Sequence, residues 1–91
     1  MSPRQKKPRR CGCAFQGSAF KPTGIPMSEL ERVVLYRDEL EALKLCDLDG
    51  QTQEEAGRAM EVSRGTVQRL LASGRRKVAM TLTEGKALVF E

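Results

Sequence analysis

The second half of the chain alternates apolar and polar positions with a helical period. Apolar residues recur every three or four positions between Arg64 and about Leu82, which predicts an amphipathic helix over that range. Ser63 precedes this helix as an N-cap, and Gly85 is placed to end it. The side that the helix should bury consists of Val67, Leu70, Leu71, Val78 and Leu82.

A shorter helix is predicted just before it. Thr52 and Glu55 have the spacing of a capping box, in which the hydroxyl of Thr52 accepts from the amide of Glu55 and the carboxylate accepts from the amide of Thr52. This helix should run from Gln53 to Met60, where Glu61 and Val62 interrupt it. The pattern therefore predicts two helices joined by a tight turn.

A third helix should precede these two. Asp38 is the expected N-cap, good helix formers fill the range from Glu39 to Leu48, and Gly50 closes the element. The buried side of this helix is expected to be Leu40, Leu43, Leu45 and Leu48.

The N-terminal part of the chain lacks a regular period. Residues 1–10 combine two prolines with five bases, which predicts a flexible basic arm. Residues 11–27 are rich in Gly and Pro, which favours an irregular segment that wraps the domain through Phe15, Phe20 and Ile25.

Two short extended pieces should flank the helices. Residues 28–36 favour one helical turn and then an extended run, and residues 86–90 favour a short terminal strand. The predicted fold class is mainly α, a three-helix helix-turn-helix domain over residues 28–91 with its motif at about 52–77. A chain of 91 residues suffices for one small domain, and the absence of Trp makes its core aliphatic.

The spacing of small and apolar residues around the turn is typical of a helix-turn-helix. Counted from Gln53, the fifth position is Gly57, which should face the second helix closely and accept only small side chains. A helical hairpin that binds no DNA could satisfy the same spacing. The apolar positions are the fourth, eighth, tenth, fifteenth and eighteenth, occupied by Ala56, Met60, Val62, Val67 and Leu70.

Charge is segregated along the chain. Residues 1–10 carry +5, residues 29–61 carry −6 and residues 64–86 carry +5. No acidic residue lies between positions 62 and 83, where five bases occur. This separation favours a DNA-facing surface beside a solvent-facing or partner-facing one. Mixed charges that only keep a small domain soluble are the simpler alternative.

The polar residues of the second helix suit the major groove. Arg pairs with guanine, Gln with adenine, and the Thr methyl contacts thymine. The base-contact candidates are Arg64, Thr66, Gln68 and Arg69. Helix N-termini and the following basic run should hold phosphates, which sets affinity and its salt dependence. The phosphate-contact candidates are Thr52, Gln53, Ser63, Arg75, Arg76 and Lys77.

The stretch QTQEEAGRAMEVSRGTVQRLLASGRRKVA resembles the helix-turn-helix of region four in bacterial sigma factors, and ELEALKLCDLDG resembles the helix that leads into it. The segments FKPTGIP, DELEALKLCDLDG, QEEAGRAM, VSRGTVQRLL and EGKAL resemble a family of short prokaryotic proteins known only as predicted DNA-binding proteins. The resemblance implies a sigma-region-four-like fold and DNA binding, with Arg64, Thr66, Gln68 and Arg69 at the base-reaching positions. This chain departs from the family pattern at Gly57, where Ala is usual, and at Glu61, where Gly is usual.

Double-stranded DNA is thus the expected partner, and a transcriptional regulator the expected role. In the competing hypothesis the chain is an adaptor whose acidic helix, residues 38–49, binds a protein such as RNA polymerase. RNA is disfavoured because exposed aromatic platforms are lacking. A homodimer through the strand at Lys86–Phe90 or the far end of the last helix would extend the DNA site, and the basic arm is equally compatible with DNA contact or with a solvated tail.

The sequence offers little to an enzyme or a metal. It contains no His, and Asp38, Glu39 and Glu41 look like helix-start carboxylates, so we expect no catalytic residue and no cofactor. Three cysteines, Cys11, Cys13 and Cys46, are too few for a closed zinc site and are only weak metal candidates. The chain has no membrane-spanning run or signal peptide, which leads us to expect a cytoplasmic protein without disulfides.

Overall fold

The computed structural model describes residues 19–91, which form a mainly helical unit with one small sheet. A single 3-10 turn at Met27–Glu29 lies between the first two strands. The elements in chain order are β1 (Ala19–Phe20), β2 (Arg32–Leu35), α1 (Arg37–Leu43, continued by a π-helical turn at Lys44–Leu48), α2 (Gln53–Met60), α3 (Arg64–Glu84) and β3 (Ala87–Phe90).

The start of α1 differs from the prediction. The helix begins at Arg37, and the cap position belongs to Tyr36, whose amide donates to Glu39 Oε1 at 2.9 Å. Asp38, expected to be the N-cap, instead lies exposed in the first turn. The buried carboxylate of Glu39 makes the capping hydrogen bond. Its spacing from Tyr36 is that of a capping box, but tyrosine is not a usual N-cap residue.

The predicted buried side of α1 is wrong at its C-terminal end. Ala42 is fully buried, whereas Leu48 is 76% exposed. The wider π turn over Lys44–Leu48 adds residues per turn, so the face that a regular α-helix would keep inward rotates outward there. Leu40, Leu43 and Leu45 are half-buried.

Both later helices begin where their caps predict. Thr52 Oγ1 accepts from the amide of Glu55 at 3.0 Å, and Glu55 Oε1 accepts from the amide of Thr52 at 2.9 Å. Ser63 Oγ accepts from the amide of Thr66 at 3.1 Å. Gly85 ends α3 with a φ of 66°, a conformation that suits glycine.

The inward side of α3 is confirmed at Val67 and Leu71 but not at Leu82, which is 77% exposed. Thr81 takes the inward position in that last stretch, and its hydroxyl donates to the carbonyl of Lys77 at 2.8 Å. Because the hydroxyl is satisfied within the helix, Thr81 can be buried without an unpaired polar group.

The sheet has the strand order β1-β3-β2. Strand β3 pairs with β1 antiparallel, with Phe20 opposite Leu88, and with β2 parallel, with Val33 opposite Leu88. The terminal strand and the extended run were predicted separately, but not their pairing. Since β3 is hydrogen-bonded on both sides within the chain, it is not available as the dimerisation strand that the sequence suggested.

Two clusters of buried side chains make up the core. The first joins the three helices through Ala42, Ala56, Val67 and Leu71. The second joins the sheet to α1 and α3 through Val33, Leu35 and Leu88. The core is aliphatic as predicted, and an edge-to-face pair of Phe20 and Phe90, with ring centroids 6.0 Å apart, lies where β1 meets β3.

Several predictions concern residues 1–18 and so lie outside the described part of the chain. They include the basic arm at residues 1–10, residues 11–18 of the wrapping segment, Phe15, Cys11 and Cys13. Within residues 19–91, no helix has the length and apolar character needed to span a membrane.

Candidate nucleic-acid interface

The turn between α2 and α3 has a strained residue. Glu61 adopts φ 62° and ψ 41°, in the left-handed region, and this is the only described residue other than glycine with a positive φ. A side chain in this conformation costs roughly 1–2 kcal/mol. The departure from glycine at this position therefore carries a backbone penalty, and the conformation is kept because the amide of Val62 donates to the carbonyl of Gly57 at 2.9 Å.

The close approach to Gly57 that the sequence predicts is present. It is made by the turn and the first residue of α3, not by the body of that helix. A Cβ on Gly57 would lie 2.8 Å from the carbonyl oxygen of Val62 and 3.5 Å from the amide nitrogen of Arg64. Gly57 itself is buried. The short turn is thus packed directly against α2, which fixes the direction in which α3 leaves it.

The first two turns of α3 present polar side chains outward. Arg64 and Gln68 are exposed and one helical turn apart, so they share a face. Neither side chain has a hydrogen bond or ion pair with any residue in the range 19–91. Val67 and Leu71, on the opposite side of the same turns, are buried against the other helices. This part of α3 therefore offers two unengaged long polar side chains to a partner.

The other two base-contact candidates are already bonded to each other. Arg69 Nη2 donates to Thr66 Oγ1 at 3.2 Å, and Thr66 Oγ1 lies 2.9 Å from Ser63 Oγ. Arg69 is exposed, whereas Thr66 is half-buried. The four predicted residues thus lie on the same two turns, but Thr66 is turned towards its own helix.

The two helix N-termini differ in their suitability for phosphate. The first turn of α2 carries Glu54 and Glu55, and the amide and hydroxyl of Thr52 are both used in the capping box. The first turn of α3, after Ser63, carries no acidic residue. Because a carboxylate and a phosphate compete for the same positive end of a helix, Thr52 and Gln53 are poorer anchors than the start of α3.

Two of the three predicted basic anchors at the far end are engaged within the chain. Arg75 forms a two-pronged pair with Asp47, at 2.7 and 3.0 Å, and this hydrogen bond lowers the pKa of Asp47. Lys77 Nζ lies 2.8 Å from Glu39 Oε1 and 4.6 Å from the ring centroid of Tyr36. Arg76 is exposed and has no ion pair with a residue of the described range.

Glu39 is the buried centre of the contact between α1 and α3. It is 5% exposed and accepts from the amide of Tyr36, from Lys77 and from the hydroxyl of Ser73. Burial alone raises the pKa of Glu39, but these hydrogen bonds and the charge of Lys77 outweigh burial and lower it. The sequence predicts Glu39 as a helix-start carboxylate and Lys77 as a phosphate contact, and no local signal marks them as partners.

The acidic helix offers less charge to a protein partner than its composition suggests. Glu39 is buried, Asp47 is paired with Arg75, and Asp49 is paired with Lys44 at 2.6 Å. Asp38 is exposed in the first turn of α1. The acidic surface expected of an adaptor therefore remains except at Glu39, but Arg75 and Lys44 neutralise part of its charge.

Cys46 is half-buried at the end of α1, with its thiol 4.0 Å from the carbonyl oxygen of Thr52. Burial, followed by the charge of Asp47, raises the pKa of this thiol. Within the described residues, no group of three His, Cys, Asp or Glu side chains could hold a metal ion.

Comparison with known proteins identifies the chain's relatives. The family model described as "Protein of unknown function DUF134" matches residues 1–91. A UPF0251 protein of Vibrio vulnificus (strain CMCP6) is 50% identical over 86 residues, covering 94% of this chain and 86% of the relative. No solved structure matches the chain.

Longer relatives also match over nearly the whole chain. UPF0251 proteins of Halothermothrix orenii and Pelotomaculum thermopropionicum are 50% identical over 88 residues and 54% identical over 87 residues. This chain spans 65% of the length of each of these two relatives. The family resemblance inferred from five short segments is confirmed, and the chain belongs to the DUF134 family, whose curated relatives are named UPF0251 proteins.

Proposed function

We propose that the chain binds double-stranded DNA through α2, the turn and the first half of α3, used as a helix-turn-helix like that of sigma region four. The observation that carries this proposal is the outward surface of α3. Arg64 and Gln68 are exposed there without partners among residues 19–91, and no acidic residue occurs between positions 62 and 83.

The chemistry of this surface matches the major groove. The groove admits an α-helix, and the N-terminal turns of a recognition helix are the part that meets base edges. Arg64 can donate two bonds to guanine, and Gln68 can exchange two with adenine, each good pair giving about 1–3 kcal/mol of discrimination. Arg76 follows two turns later on the exposed side and is placed to contact a phosphate.

We propose that the protein acts as a transcriptional regulator in the cytoplasm, the compartment that holds DNA in prokaryotes such as its relatives. We propose no catalytic activity, because the described surface presents positioned donors for recognition rather than a cleft with a nucleophile and base. RNA polymerase gains no support as a partner, since most acids of residues 38–49 are paired within the chain.

The test is a titration of a fluorescently labelled random-sequence duplex, followed by anisotropy at about 50 mM and about 200 mM salt. Wild type should bind, and its affinity should fall with salt by a slope of about −0.9 per phosphate contacted. Removing two unpaired cations, in the double variant Arg64→Ala with Arg76→Ala, should weaken binding about tenfold or more and flatten the slope.

A matched control removes the same charge elsewhere. Lys21 is exposed on the segment that follows β1, and Arg32 is exposed on β2. The double variant Lys21→Ala with Arg32→Ala therefore lowers the net charge by the same amount. This control should keep an affinity close to wild type. Absence of salt-dependent binding by wild type, or an equal loss in both double variants, would refute DNA binding through α3.

A further inference from the structure

A chain of side-chain hydrogen bonds runs along the first turns of α3. Arg69 Nη2 donates to Thr66 Oγ1 at 3.2 Å, and the Thr66 and Ser63 hydroxyl oxygens are 2.9 Å apart. Since a guanidinium can only donate, Thr66 accepts from Arg69. One proton is shared between the Thr66 and Ser63 hydroxyl oxygens, and Ser63 Oγ also accepts from the amide of Thr66 at 3.1 Å.

This arrangement bends the Arg69 side chain back along the helix. Its Nη1 would lie 3.8 Å from a Cβ on Gly65, so the guanidinium lies over the first turn of α3 rather than extending away from it. Arg64 and Gln68 have no such restraint within the described residues. One of the five N–H groups of Arg69 is used by Thr66, which leaves the others for a partner.

We propose that Thr66 is a positioning residue that holds Arg69 for contact with the DNA backbone, and that sequence is read by Arg64 and Gln68. This inference rests on the proposed DNA binding. It divides the four predicted base-contact residues into two pairs with different duties. Thr66 is half-buried and its hydroxyl oxygen already contacts both Arg69 and Ser63, so it is turned to its own helix, whereas Arg64 and Gln68 are exposed.

The division predicts two different phenotypes. A backbone contact affects all sequences equally, so Arg69→Ala should weaken binding uniformly and reduce the magnitude of the salt slope by about 1. A base contact affects the preferred sequence, so Arg64→Ala and Gln68→Ala should each relax the preference at one base pair. Both are measured by selecting bound duplexes from a random-sequence library and then titrating the selected duplex at several salt concentrations.

Thr66 is tested by a pair of variants that differ by its hydroxyl. Thr66→Val keeps the branched shape but cannot accept from Arg69, so it should weaken binding about 2- to 10-fold, since binding must then immobilise a free arginine. Thr66→Ser keeps the hydroxyl and should bind like wild type. Thermal melting checks that both variants are folded, because the Ser63 cap uses the backbone amide of Thr66 and is retained.

A double-mutant cycle separates positioning from a merely structural effect. If Thr66 acts through Arg69, then Thr66→Val should have no effect on DNA binding in an Arg69→Ala background. Additive losses, or a changed sequence preference in Arg69→Ala, would overturn the inference while leaving DNA binding intact. Failure of wild type to bind any duplex would instead refute the proposed function.

Discussion

The two halves of α3 carry the same sign of charge but use it differently. In the first half, Arg64 and Arg69 are exposed and have no carboxylate partner among residues 19–91. In the second half, Arg75 is paired with Asp47 and Lys77 with the buried Glu39, and of its bases only Arg76 is exposed without an ion pair in the described range. The first half projects beside α2, whereas the second half packs against α1 and the sheet.

This difference shows that a basic segment is not by itself a binding surface. A sequence count treats the five bases between positions 62 and 83 as equivalent. Tertiary packing assigns two of them to the contact between α1 and α3, where they replace solvent as the partners of Asp47 and Glu39. What remains for a ligand is the part of α3 that no other element of the described chain covers.

The largest effect should come from the second half of α3, where Lys77 is paired with Glu39 of α1. Glu39→Ala removes a 5%-exposed carboxylate and leaves Lys77 and the hydroxyl of Ser73 without their acceptor. Since Lys77 retains some exposure to water, we expect a loss of about 2–3 kcal/mol in the free energy of unfolding, below the full cost of breaking a buried pair. Urea denaturation measures it.

Asp38→Ala is the matched control for Glu39→Ala, because Asp38 is the neighbouring acid and is exposed in the same first turn of α1. It should cost less than about 1 kcal/mol. Equal losses in the two variants would mean that the bonds to Glu39 contribute nothing beyond a helix-start charge. The pairing of Lys77 with Glu39 would then not stabilise the fold.

The next effect should be a loss of stability in acid, through the contact between α1 and the second half of α3. Glu39 and Asp47 both have a pKa below the ordinary value for their type, Glu39 because hydrogen bonds outweigh its burial and Asp47 because Arg75 bonds to it. A carboxyl whose pKa is lowered by folding stabilises the fold above its unfolded pKa and loses that contribution as the pH falls through the folded pKa. The contribution of these two carboxylates should therefore be constant from neutral pH to about pH 5 and be lost progressively below that.

The variant Glu39→Gln separates this effect from general acid unfolding. It cannot titrate at this position, so its unfolding free energy should fall less than that of wild type between neutral and acid pH. Urea titrations at a series of pH values make the comparison. A parallel fall in the two proteins would show that Glu39 has no part in the pH dependence.

A third change should free a cation that is now paired within the chain, so that it can contact DNA. Asp47→Asn removes the charge that holds Arg75, whose side chain is already exposed. If DNA lies along α3 as proposed, the freed guanidinium adds a phosphate contact and the salt slope steepens by about 0.9. Asp49→Asn frees Lys44 on α1 and serves as the control, with an unchanged slope. An unchanged slope in both would place Arg75 beyond the reach of DNA.

Contacts between residues close in the sequence could be predicted, whereas contacts between distant residues could not. The starts of α2 and α3 were correct because Thr52 with Glu55 and Ser63 with Thr66 are bonds within one turn. The parallel pairing of β2 with β3 was not predicted, because its strands are separated by all three helices. The same separation hid the partners of Arg75 and Lys77, and with them the division of α3.

Interruptions of regular structure were also hard to predict. The π turn at Lys44–Leu48 exposes Leu48, and Thr81 replaces Leu82 on the inward side of α3. Both errors came from extending an ideal period through a region where packing alters it. In the candidate interface, the exposure of Arg64, Gln68 and Arg69 was predictable from the pattern. The half-burial of Thr66 and its bond to Arg69 were not, because they depend on how the side chains pack.

The smallest effect should come from the turn that joins α2 and α3, and it should change neither half of α3. Glu61→Gly relieves the left-handed strain at φ 62°, and the gain is partly offset by the greater freedom of glycine in the unfolded chain. We expect about 0.5–1 kcal/mol of added stability by urea denaturation, with no change in DNA sequence preference. Glu61→Gln removes the charge but keeps the strain, so it should leave stability unchanged. If Glu61→Gln stabilised the protein as much as Glu61→Gly, charge rather than backbone conformation would govern this turn.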